Sequence, residues 1–125
     1  MKFTQERTGA NVVQSFEPGA IRVKDRLIKG HVILSAEVII EPWLVAQAHN
    51  ITVTDIAPAM ALQPEVLILG TGRTLAFPSP ELLDELAAQG IGVEVMDTAA
   101  ACRTFNVLVH EDRAVTAALL NEKPG

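Results

Sequence analysis

One stretch limits the possible folds more than any other: Val66-Leu67-Ile68-Leu69-Gly70-Thr71-Gly72-Arg73. Four apolar residues in a row, with no polar alternation, mark a strand buried on both faces. Such a strand needs a layer on each side, so a sheet with one wet face cannot be the whole fold. The run ends in glycines, and a loop after a buried strand offers backbone N–H groups that a ligand can approach closely. Gly70-Thr71-Gly72 opens like a dinucleotide fingerprint, but Leu75 stands at the third glycine position and no P-loop lysine follows. Pro78 and Pro80 keep Phe77 and Ser79 extended, so the next helix begins only at about Pro80, too late to face a pyrophosphate. Asp97, at the end of the following strand, is the one feature that suits a nucleotide ribose. The loop therefore reads as a structural turn or as a loop for some other ligand.

The rest of the chain builds around this strand. Ser79 caps a helix that Pro80 opens, with Leu82, Leu83 and Leu86 as its apolar stripe and Gly90 as its stop. Ile91 to Met96 is a second strand, and Asp97-Thr98 caps a helix running to about His110. Val115 to Leu120 reads as a strand, with a short helix as the alternative. Strand and helix alternate, which predicts parallel pairing with crossovers. Upstream, Val12–Phe16, Ala20–Val23, Arg26–Ile28, His31–Ser35 and Glu37–Ile40 are β-rich and separated by turn residues, as in an antiparallel meander. Between meander and central strand, Thr54 or Asp55 can cap a short helix over Ile56 to Leu62, with Pro58 in its first turn. Trp43 reads as a core or interface filler. The expected fold is α/β: one three-layer domain over residues 1–125 with a Rossmann-like mixed sheet, preceded by the meander, with residues 1–10 and 121–125 as flexible ends.

Composition narrows the function classes. A chain of 125 residues, 49% hydrophobic and 20% charged, is long enough for one core without staples. A single cysteine excludes an intrachain disulfide and fits a reducing compartment. No apolar run approaches the roughly 20 residues that span a bilayer, so no membrane insertion is expected. Met1 to Arg7 holds no apolar signal core, and the expected location is cytoplasmic. The net charge of −5 argues against nucleic acid as a partner. Arg22, Lys24 and Arg26 would share one strand face, as a solvated edge or as a docking patch for an acidic partner.

Chemistry-bearing residues are few. Cys102, Phe105 and Val109 fall on one helical stripe, which makes Cys102 a buried hydrophobe more readily than a nucleophile. Arg103, Asn106 and His110 form a separate polar stripe, either solvated or placing Arg103 across the strand ends toward Gly70 to Arg73. Asp97 with Arg73 or Arg103 could be part of that wall or a structural ion pair. His31, His49 and His110 show no metal-ligand spacing, and no nucleophile set or carboxylate dyad stands out. No cofactor is expected.

Taken together, Pro64-Glu65, Gly70-Thr71-Gly72, Gly90-Ile91, Val95-Met96, Thr98, Ala100-Ala101-Cys102-Arg103-Thr104-Phe105-Asn106 and Glu111-x-Arg113 form a distinctive series. From about Pro64 to Leu120 the chain resembles the domain-of-unknown-function family that includes mitochondrial complex I (NADH:ubiquinone oxidoreductase) assembly factor three and the adipogenesis-associated Mth-type domain protein. Upstream, Pro18-Gly19-Ala20-Ile21-x-Val23 fits that family's turn and strand. The resemblance implies a small three-layer α/β domain with no established activity. It carries over Gly70, Thr71, Gly72, Arg73, Thr98, Arg103, Thr104 and Asn106 as a ligand site, to which the strand-end argument adds Asp97, and it assigns no catalytic role. The expected function is that of an accessory or assembly factor acting by protein contact, as a monomer or weak homodimer. The alternative is a small-molecule binder or enzyme using a strand-end pocket around Gly70–Arg73, Asp97 and Arg103.

Overall fold

The computed structural model describes residues 9–123. The expected loose ends at 1–8 and 124–125 lie outside the described residues. The chain forms two sheets. Strands β1 (Val13–Glu17), β2 (Ala20–Val23) and β3 (Arg26–Ile28) make an antiparallel sheet in that order. Strands β4 (Val32–Ser35), β5 (Ile39–Ile40), β6 (Val66–Gly70), β7 (Gly92–Met96) and β8 (Val115–Leu119) make a mixed sheet in the order β5-β4-β8-β6-β7. Strand β6 pairs in parallel with both β7 and β8, while β4 runs antiparallel to β8. The expected meander is therefore divided: its last two strands leave the first sheet and extend the second.

Strand β6 is covered on both sides, as its unbroken apolar run requires. Ile68 faces one core cluster with Val13, Ile21, Ile28, Ala101, Phe105, Ala117 and Leu119. Leu67 and Leu69 face the other, with Trp43, Ile56, Leu82, Leu86 and Ala118. The alternation is the period of a strand. Helix α3 (Thr98–His110) and the small sheet form the first covering layer, and α1 (Val53–Met60) and α2 (Pro80–Ala88) form the second. The three-layer α/β fold read from the sequence is the fold observed.

Two helix starts follow the expected capping chemistry. Ser79 accepts from the Leu82 N–H ahead of Pro80, and Asp97 accepts from the Ala100 N–H. Helix α1 differs. Its cap is Thr52, in a reciprocal box with Asp55, so the helix begins earlier than the Thr54 or Asp55 expected. Pro58 consequently lies in the second turn, where its ring removes a hydrogen bond to the Thr54 carbonyl. Trp43 is a core filler, 6% exposed, whose indole N–H reaches the Asp55 carbonyl at 2.9 Å.

The basic cluster also needs correction. Lys24 sits at φ 54° in the turn between β2 and β3 and belongs to no strand face. Arg22 pairs across to Leu27, and Arg26 pairs with Val23, so the two arginines point to opposite sides. Arg26 forms an ion pair with Glu41 at 3.1 Å.

Candidate functional site

The order β8-β6-β7 makes the end of β6 a special place. The chain leaves β6 toward β7 on one side, then returns past it to β8 on the other. In α/β sheets ligands collect at the carboxyl ends of strands where the connections diverge in this way. At that point the structure gathers Gly70, Thr71, Gly72, Arg73 and Thr98.

Each of these residues is held by another part of the chain. At Gly70, a Cβ would lie 2.9 Å from Leu119 Cδ2, 3.0 Å from Thr98 Oγ1 and 3.1 Å from Ala101 Cβ. Only glycine lets α3 press this closely onto β6. Thr71 is buried; its hydroxyl donates to the Thr74 carbonyl and accepts from the Ala76 N–H, folding the loop on itself. Thr98, 1% exposed, accepts from the Gly72 N–H at 2.9 Å and donates to the Leu120 carbonyl at 2.7 Å. One hydroxyl thus joins the ends of β6 and β8 to the start of α3. The Arg73 N–H donates to Glu122 Oε1 at 3.0 Å. The N–H groups of Thr71, Gly72, Arg73 and Ala76 are all committed inside the molecule.

The other candidates separate. Asp97 spends a carboxylate oxygen on the α3 cap, and the ion pairs shown among the described residues, Arg26–Glu41 and Arg113–Glu65, involve neither Asp97, Arg73 nor Arg103. Arg103 is exposed, on the side of α3 away from Thr98 and Ala101, and does not form the facing wall expected of it. Thr104 is half-buried further along the helix. Asn106 points to the small sheet: its amide accepts from the Val13 N–H and donates to the Val13 carbonyl, both at 2.8 Å. It imitates a partner strand for β1 and is not part of a solvated stripe. Cys102 is 3% exposed, and burial pushes its thiol up to about 12, with Arg103 opposing weakly. The thiolate needed for nucleophilic or redox work is suppressed there.

Three residues outside the expected set belong to this place: His31, Asn121 and Glu122. Asn121, expected in a loose tail, is 3% exposed. Its side-chain amide donates to the carbonyls of Ile28 and Gly30, and its backbone N–H donates to His31 Nδ1 at 2.7 Å. Its Oδ1 is buried without a partner among the described residues. Asn121 and Glu122 follow Leu120 just past the end of β8, a central strand, so the strand-end rule that drew attention to Gly70 and Asp97 applies to them as well. Open depressions of about 420 Å³ and about 360 Å³ lie elsewhere, one beside Lys24 and Glu37 and one between the starts of α1 and α2.

The fold and its closed strand-end loop define a three-layer α/β domain with a mixed central sheet. A solved structure from Bordetella pertussis described as a Mth938-like domain superposes with a TM-score of 0.81 at 31% identity, covering 100% of this chain and 95% of that one. A crystal structure of a Bordetella parapertussis protein gives a TM-score of 0.84 at 37% identity, covering 91% of this chain and 98% of the other. The family described as "Protein of unknown function (DUF498/DUF598)" matches residues 13–120, and the chain belongs to it. Among curated relatives, the "NADH dehydrogenase [ubiquinone] 1 alpha subcomplex assembly factor 3" of Danio rerio is 34% identical over 97% of this chain and 70% of its own length. No helix among the described residues is long and apolar enough to cross a membrane.

Proposed function

We propose that this chain is a non-catalytic assembly factor for a respiratory membrane complex and works by contact with other proteins. The observation that carries the reading is the 34% identity to a named complex I assembly factor across nearly the whole chain. The site supports it. Of the residues that family resemblance singles out, Gly72, Thr98 and Asn106 are engaged in internal hydrogen bonds, as suits a scaffold and not a reaction centre. Leu75 and Phe77 stand exposed on the loop after β6, at 54% and 62%, and give a contact surface. We place the protein in the cytoplasm, a reducing compartment that suits its lone buried thiol, as a monomer or weak homodimer.

Affinity capture from mildly solubilised membranes tests the reading. Subunits of an NADH dehydrogenase should be retained, and Leu75→Ser with Phe77→Ser should release them. Empty captures alongside one tightly bound small ligand would overturn it. The second reading, a small-ligand binder, is favoured by one observation: a carboxylate already sits on the loop at the strand ends.

A further inference from the structure

We infer that the Gly72–Arg73 turn is a carboxylate-binding site, and that Glu122 is its stand-in occupant in the isolated chain. The location is where the connections from β6 diverge, and there the ligand position is taken by the chain itself. Glu122 Oε1 accepts from the Arg73 N–H at 3.0 Å. The same carboxylate lies against the bare Cα of Gly72: a Cβ built there would fall 2.5 Å from Oε1 and 2.6 Å from Cδ. Gly72 sits at φ 104°, a conformation that favours glycine, so the backbone is both shaped and cleared for a close anion. Anion-binding loops present backbone N–H groups beside a glycine that lets the anion come close, and Arg73 supplies one such donor here.

The occupant can leave without unfolding anything. Glu122 is exposed, and its long side chain can swing away by its own rotations. Asn121 stays behind, anchored to Ile28, Gly30 and His31. An incoming carboxylate, from a small acid or from an acidic side chain of another protein, would take over the Arg73 N–H and the space over Gly72. Glu122 is then a tethered competitor that sets how strong an incoming ligand must be.

The test needs only purified chain and does not rest on the assembly role, so either can fail without the other. Backbone amide resonances are followed by NMR in the native chain, in Glu122→Ala and in Glu122→Gln. Sodium acetate is the probe for a free acid, and a blocked aspartyl tripeptide is the probe for a side chain. With the competitor removed, the Gly72 and Arg73 amides of Glu122→Ala should shift saturably with one or both probes, about tenfold tighter than in the native chain. Glu122→Gln keeps a neutral acceptor on the tether and should fall between. The probe that binds tighter identifies the source of the carboxylate. Saturation by neither probe in a Glu122→Ala chain whose other resonances are native, or equal affinity in all three chains, would overturn the proposal. If Glu122→Ala loses its native spectrum, Glu122→Gln alone decides: affinity no tighter than native overturns it.

Discussion

Helix α3 holds the molecule together at two polar points that work in different ways. At its start, Thr98 joins Gly72 to Leu120, so three chain segments depend on one buried hydroxyl. At its middle, Asn106 grips one residue of one strand, Val13, through both ends of its amide. The first point is central and dry, between two parallel strands; the second is half-buried, at the margin of the small sheet. A hydrogen bond adds little net stability, but an orphaned buried group costs its full desolvation. Equal counts of hydrogen bonds at the two points therefore imply unequal consequences.

The comparison breaks most readily at Thr98. Thr98→Val keeps the shape but leaves the Gly72 N–H and the Leu120 carbonyl without their partner. We expect a loss of about 3 kcal/mol in urea unfolding. Thr98→Ser retains the hydroxyl and should lose about 1 kcal/mol. A Thr98→Val chain within about 0.5 kcal/mol of native would show that water reaches the two orphaned groups. Asn106→Ala should cost less, about 1–2 kcal/mol, because the two bonds to Val13 that it breaks are only part-buried. Its effect should be local. Amide exchange should quicken in β1 and leave β6 and β8 protected. Uniform acceleration across both sheets would make Asn106 a global support like Thr98.

Gly72→Ala probes the neighbour of Thr98 in another way. The added methyl meets the end of a movable Glu122 side chain, but the φ of 104° remains unfavourable whatever Glu122 does. We expect a cost of about 1–2 kcal/mol, most of it retained in a Glu122→Ala background. Full recovery in the double variant would mean that the clash, and not the backbone, makes glycine necessary.

The two regions also differ in how far they could be read from sequence. The strand expected over Val66 to Leu69, the caps Ser79 and Asp97 and the stripe through Phe105 are local patterns, and all three appear, the strand running one residue further to Gly70. Thr98 and Asn106 could be seen as notable, but not explained. Their partners lie 22 to 93 residues away, and side-chain spacing on a helix says nothing about which distant backbone it will meet. The division of the meander escaped for the same reason: β3 and β4 are both short and β-rich, and only the pairing of β4 with β8 decides that they part. Asn121 was concealed by position alone. Two residues before a polar end look like a tail until the strand before them proves central.

The smallest expected effect tests whether the anchor at Asn121 belongs with Thr98 as a buried support. His31 Nδ1 accepts the Asn121 N–H, so the ring must keep a lone pair at that nitrogen and cannot hold a proton there. Burial holds the ring below the ordinary value of 6.5, and the Glu122 carboxylate pulls weakly the other way. The folded chain therefore binds this proton less readily than the unfolded chain does. The stabilisation from a neutral His31 is complete above about pH 6.5 and is lost as pH falls below it toward the folded value. His31→Asn supplies an acceptor that does not titrate. Between about pH 8 and about pH 5, the native chain should lose more stability than the variant. Parallel curves would show that Asn121 is held by its side-chain bonds to Ile28 and Gly30 alone. A widening gap on acidification would make His31 the residue that ties the end of β8, and Glu122 beyond it, to the strand-end loop.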